Sequence, residues 1–307
     1  MTSCMCSLGY RIFRFPATAR HDTTVGIDFA PALGRASMAN RSEPRSSTII
    51  FLCVILTCTL HVHASMLHEK ARSGDDEAFD LEIPHEDLNA REVGTGQTPL
   101  MAAALAGKDN VVDKLLRLGA DHTIGERDGY TPPHGVAFQG RAKAARALIK
   151  HGVPMDVRHA DGYTPLHRTI WGGTPHHVKT AEVIVMEGGA NVDALDSDGY
   201  SPSHRAVDAG WVEMLTALMK LGADPNLKAR GTGDALLHAA VKKQNFDMVK
   251  LIIDGGGDIT AKNSKGLTPK GLAKTLPSAK VRAVLEEAGA KRRREIFGAH
   301  EDAPREL

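Results

Sequence analysis

The sequence predicts an all-α fold, a solenoid of about seven helix-turn-helix repeats joined by short β-hairpin turns, and three observations carry that reading. A tetrapeptide of the form Thr-Pro-Leu-His recurs, a tripeptide of the form Gly-Ala-Asp recurs between its copies, and apolar residues in each interval keep helical spacing. The clearest tetrapeptide is Thr164-Pro165-Leu166-His167. Others are Thr98-Pro99-Leu100-Met101, Thr131-Pro132-Pro133-His134, Ser201-Pro202-Ser203-His204 and Thr268-Pro269-Lys270-Gly271, with a weaker Ala235-Leu236-Leu237-His238. Their fourth positions stand 33, 33, 37, 34 and 33 residues apart, and His68 stands 33 residues before Met101. A degenerate first repeat therefore begins near Leu67, and the repeats span residues 65–290.

Each part of the repeat has a physical reason. Thr-Pro opens a helix because the Thr side chain caps free backbone N–H groups, while Pro at the first helical position loses nothing by lacking one. Second helices are expected over 111–118, 142–151, 178–187 and 212–221. Gly119, Gly152, Gly189 and Gly222 follow them, where a left-handed residue closes a helix at low cost. Asp128-Gly129, Asp161-Gly162 and Asp198-Gly199 mark hairpin tips. Apolar stripes such as Val111, Leu115, Leu116 and Leu118, or Met214, Leu215, Leu218 and Met219, have no partner within one repeat. They are buried only when neighbours stack. Two repeats depart from the pattern. The fourth carries extra residues around 171–177, read as a longer loop between its helices, and the sixth lacks Thr-Pro.

These motifs resemble the ankyrin-repeat family, whose repeat of about 33 residues opens with Thr-Pro-Leu-His. The resemblance implies a solenoid whose repeat histidines, His68, His134, His167, His204 and His238 with Met101 in one register, tie adjacent repeats together. It also implies that a protein partner binds in the concave groove. The residue four after each of these positions is then expected on the groove face, which selects Leu105, Phe138, Trp171 and Asp208, with Lys242 in the sixth repeat and Trp211 close to Asp208. Arg127, His159, Ser197 and Arg230 are expected at the hairpin tips as rim contacts. Large aromatics are common binding hot spots, and the chain has two Trp residues, both assigned to this face.

Composition narrows the function further. A formal net charge of +1 argues against a dedicated nucleic-acid binder, which needs clustered Lys and Arg to displace counterions. All four cysteines lie in the first 58 residues, which removes thiolate ligands and disulfides from the repeats. No nucleophile with its base, no paired carboxylates and no metal cluster stand out, so neither catalysis, cofactor nor metal is expected. His176 and His177 are adjacent in the presumed loop, a poor ligand pair. Gly255-Gly256-Gly257 follows a helix instead of opening one, which suits a helix stop and not a phosphate loop. Lys291-Arg292-Arg293-Arg294, opening the tail 291–307, reads as a solvated helix end complementing a C-terminal dipole, with a nuclear import run or an anionic-surface contact as the alternatives.

Residues 49–60 form an apolar run too short for a relaxed membrane span, preceded by Arg41 and Arg45 and followed by Val62-His63-Ala64. Read from Met38, residues 38–64 have the proportions of a signal peptide cleaved after Ala64, with 1–37 an extra segment, disordered or absent from the mature protein. That routes the repeats to the secretory pathway, secreted or in the ER lumen. The alternatives are an uncleaved single-pass anchor, an organelle transit peptide in residues 1–20, or a cytoplasmic regulator. On any of these the chain is taken as a monomer that meets a membrane only if 49–64 is retained.

Overall fold

The computed structural model describes residues 65–80 and 83–298. Residues 38–64, which the sequence reads as a signal peptide, residues 1–37 and the last nine residues lie outside that range. Helix α1 covers 65–73 and leads to a 3-10 turn at Glu77–Phe79, then the short α2 (His85–Leu88). Five paired repeats follow: α3 (Pro99–Ala106) with α4 (Asp109–Arg117), α5 (Pro132–Phe138) with α6 (Ala142–Lys150), α7 (Pro165–Arg168) with α8 (Pro175–Met186), α9 (Pro202–Ala209) with α10 (Val212–Lys220), and α11 (Leu236–Lys242) with α12 (Phe246–Asp254). The seventh repeat pairs α13 (Pro269–Ala273) with α14 (Ala279–Gly298). From the second repeat on, each first helix packs on the first helix of the next repeat and each second helix on the next second helix, while the first repeat joins the stack through its 3-10 turn against α4 and through His68. The described residues form no strand; the hairpins contribute one isolated bridge, Lys228 with Ala235.

The helix starts follow the tetrapeptides. Thr98, Ser201 and Thr268 accept a hydrogen bond from the backbone N–H three residues on, and Pro stands at the first helical position behind each. The sixth repeat starts its helix after Ala235 without a capping hydroxyl. Gly119 and Gly222, at φ +90° and +92°, occupy the left-handed conformation that the helix ends require. Val111, Leu115, Met214, Leu215 and Leu218 are fully buried in one core that runs through the stack. Leu118 departs from the expected stripe: it caps the end of α4 and is exposed, and Val112 is buried instead.

Two hydrogen-bonded ladders lock the repeats in register. In the first, the Nε2–H of each repeat histidine donates to a carbonyl of the following hairpin: His68 to Gln97 (2.8 Å), His134 to Tyr163 (3.2 Å), His167 to Tyr200 (3.1 Å), His204 to Asp234 (3.3 Å) and His238 to Leu267 (3.0 Å). In the second, an Asx side chain two residues beyond one Gly-x-Asx turn accepts from the backbone of the next turn. Asp156 takes Asn191 (3.0 Å), Asp193 takes Asp224 (3.1 Å) and Asn226 takes Asp258 (2.7 Å). The rung is missing between repeats two and three, where Thr123 replaces the Asx and Pro154 has no N–H to give.

The C-terminal helix runs past the expected repeat boundary at 290. Lys291-Arg292-Arg293-Arg294 therefore lies within α14 and not in a tail, and Arg292 reaches back to Asp258 at 2.7 Å. Charge divides along the stack. Residues 65–241 carry 18 basic against 25 acidic side chains, net −7, and residues 242–298 carry 13 against six, net +7. No helix among the described residues is long and apolar enough to cross a membrane.

Candidate functional site

The repeat histidines are structural. A carbonyl can only accept, so each ring carries its proton on Nε2. Nδ1 is then left to accept from a capping hydroxyl: Thr131 at 2.9 Å, Thr164 at 2.9 Å and Ser201 at 2.8 Å. Both nitrogens are satisfied by the neutral ring, and burial pushes His134 and His167 down to about 4. Met101, at the same register in repeat two, is buried without such a bond and packs beside Gly135. The described residues hold no group of three or more His, Cys, Asp or Glu placed to bind a metal ion.

The first helices and the hairpins that precede them build the groove face. Its frame in repeats three to five is a stack of alternating tyrosine and arginine. The Arg168 guanidinium lies 3.9 Å from the Tyr130 ring centre and 5.1 Å from that of Tyr163, and Arg205 lies 5.4 Å from Tyr163 and 4.8 Å from Tyr200. Carboxylates fix it from the side. Asp161 accepts from the Tyr130 hydroxyl (2.7 Å) and from Arg168 (3.0 Å), and Asp196 and Asp198 both hold Arg205 at 2.7 Å. Sequence reasoning missed the tyrosines, the arginines and Asp196, and took Asp161 and Asp198 only as hairpin tips. The signal was there: Tyr precedes three of the Thr-Pro or Ser-Pro pairs, and Arg follows two of the repeat histidines.

Trp171 ends the 3-10 turn Thr169–Trp171 that continues α7, and stands edge-on to Tyr163 at 6.2 Å. Its ring is 60% exposed, and Phe138, one repeat earlier at the end of α5, is 45% exposed. Both are solvent-facing aromatics at the C-terminal ends of first-helix segments. Leu105 shares the register but is half-buried against Gly135, whose lack of a side chain leaves room for it. Asp208 is exposed on α9 and paired with Lys243 at 3.3 Å, while Lys242 is bonded to Asp234.

Trp211 departs from the expected line. It is the residue before α10, a second helix, and is half-buried with its ring edge-on to His177 at 6.5 Å. The reason lies in repeat four. Residues 171–177 are not one long loop, because Thr174-Pro175-His176-His177 is a further Thr-Pro-x-His motif that starts α8. Thr174 Oγ1 meets His177 Nδ1 at 2.7 Å, and His177 Nε2 donates to the Phe138 carbonyl at 2.9 Å. His177 is thus buried and bonds backward to repeat three, while His167 bonds forward to repeat five. A side chain at Gly172 would collide with the His177 ring.

At the hairpin tips the backbone N–H groups of Arg127, Ser197 and Arg230 donate to the neighbouring hairpins, at Thr95 (2.9 Å), Asp161 (3.2 Å) and Gly199 (3.1 Å). Their side chains are exposed at the rim. His159 differs: its ring stacks on Tyr130 at 3.7 Å and donates to the Asp128 carbonyl at 2.7 Å, which leaves it half-buried between two hairpins.

A family model for ankyrin repeats matches the chain in three overlapping copies, over residues 67–155, 107–196 and 176–263. Among solved structures, the chain is similar to the ankyrin repeat domain of Bcl-3, a member of the IkappaB protein family. That match has 26% identity and a TM-score of 0.59, over 74% of this chain and 97% of that one. The human ASB11 ankyrin repeat domain shares the fold, with 23% identity and a TM-score of 0.59, over 72% of this chain and 96% of that one. Of curated proteins, the potassium channel AKT1 of Arabidopsis thaliana is 30% identical over 86 residues, 28% of this chain; the match spans a tenth of the channel's length.

Proposed function

The chain belongs to the ankyrin-repeat family, whose repeats are protein-protein interaction modules, and from that premise we propose that it binds one polypeptide partner, as a monomer, in the groove of repeats three to five. The observation that carries the reading is Trp171, a large aromatic ring left 60% exposed on a frame of stacked Tyr and Arg. A ring held in place before binding contributes apolar contact area with little side-chain entropy to lose, which is how hot spots arise. Phe138 supplies the second contact, and the exposed side chains of Arg127, Ser197, Asp208 and Arg230 supply a polar rim.

Replacing Phe138 and Trp171 together with Ala is expected to abolish retention of the partner recovered with the native chain, with the thermal midpoint moving by only a few degrees. A collapse of the melt would identify the two rings as core and sink the reading. The routing read from residues 38–64 is part of the same proposal: a mature chain starting at Ser65, recovered from the medium, is the expected product. Full-length protein that resists carbonate extraction favours an anchored scaffold instead, and full-length protein in the cytosol favours an intracellular regulator.

A further inference from the structure

The insertion in repeat four creates a feature outside the groove. α8 has 12 residues where α4, α6, α10 and α12 each have nine, and its extra first turn faces the start of α10 across a solvent-open cleft of about 460 Å³. Gly173, Pro175, Val178, Lys179 and Glu182 line it from the side of α8, and the half-buried Trp211 with Glu213 from the side of α10. Glu182 is paired with Lys179 of the same helix at 2.9 Å, whereas Glu213 is exposed and has no ion-pair partner among the described residues. No cation of the described residues stacks on the Trp211 ring.

We propose that this cleft is a second binding site that takes an arginine side chain of a protein partner, its guanidinium on the Trp211 ring and against the Glu213 carboxylate. The molecule uses the same unit internally. Arg168 lies on the Tyr130 face with Asp161 beside it, and Arg205 on the Tyr200 face with Asp196 and Asp198. At Trp211 the aromatic face and the carboxylate are present and the cation comes from outside. Trp is the strongest of the aromatic partners for a cation, and a planar guanidinium stacks where an ammonium does not. The setting agrees, because the cleft lies in the part of the stack that carries net −7.

The chain has two Trp residues, so replacing Trp171 with Phe makes Trp211 the sole indole emitter. In that background, titration with a tetra-arginine peptide is expected to give a saturable change in Trp211 emission, and the matched tetra-citrulline peptide none. Glu213→Gln is expected to weaken the response at least fivefold. Asp247→Asn, which removes an exposed charge from α12, is expected to leave it unchanged. The proposal is overturned by a response that does not saturate, by an equal response to citrulline, by indifference to Glu213→Gln, or by equal weakening in both charge variants. The last outcome would mean diffuse attraction to an acidic surface. Phe138→Ala is expected to leave this titration intact, so failure of the groove reading and failure of this one are separable.

Discussion

Ser203 stands at the third position of its tetrapeptide, where repeats two, four and six place Leu100, Leu166 and Leu237 in the core. Its hydroxyl is buried and meets no hydrogen-bond partner among the described residues. An unmade hydrogen bond in the interior costs roughly 1–3 kcal/mol, so Ser203→Ala is expected to stabilise the chain by about 1 kcal/mol, read as a higher urea midpoint at unchanged slope. Individual residues divide by how much of their role is local. The repeat histidines were legible because a fixed offset from Thr-Pro sets both of their bonds. Phe138 and Trp171 were legible because their exposure follows from helix register alone. Trp211 and His159 were not: a neighbouring repeat determines what each ring lies against, and register does not report on that.

At the scale of elements, the helices came out within a residue or two wherever Thr-Pro and Gly punctuate them. The start of α8 is hidden in the sequence because its Thr-Pro-x-His motif stands out of the 33-residue register. The Asx ladder was likewise hidden, although Asx two residues past the Gly-x-Asx turn is visible once the rungs are known. His167 shows what one rung contributes. Its removal leaves the Tyr200 carbonyl with only the Asp196 N–H and strips the Thr164 hydroxyl of its acceptor, so His167→Ala is expected to cost roughly 1 kcal/mol. Asn in its place, able to keep only part of the pair of bonds, is expected to fall between the two in a denaturant melt.

The stack as a whole inherits a pH dependence from the same bonds. His134 and His167 have folded pKa values near 4 against 6.5 in the unfolded chain, so the unfolded state binds more protons between those limits. Stability is therefore full above about pH 6.5 and falls as pH drops to 4, by about 3 kcal/mol for each ring. His204 and His238 shift in the same direction through burial. A carboxylate follows in a lower window. Asp113, bonded to Lys150 and His151 across α4 and α6, is held down to about 2, and its contribution is lost only as pH falls from about 4 towards that value. Thermal midpoints between pH 7 and pH 3 are expected to drop in the histidine window first. The His134→Asn, His167→Asn double variant, less stable at pH 7, is expected to show a shallower fall between pH 6.5 and 4. Charge acts at this scale too. The opposed −7 and +7 regions should make the repeat region bind both anion and cation exchangers at pH 7 in low salt and leave both as salt is raised.

That division of charge also gives the stack an electric dipole along the direction in which the repeats succeed one another. A dipole feels a torque in an electric field, so an approaching charged body turns the molecule before it touches it: the C-terminal end of the stack, from α12 on, leads towards an anionic body and the earlier repeats towards a cationic one. The orientation of an encounter is thereby biased at distances of about a Debye length, ~8 Å at physiological salt, well before any ring in the groove or cleft makes contact.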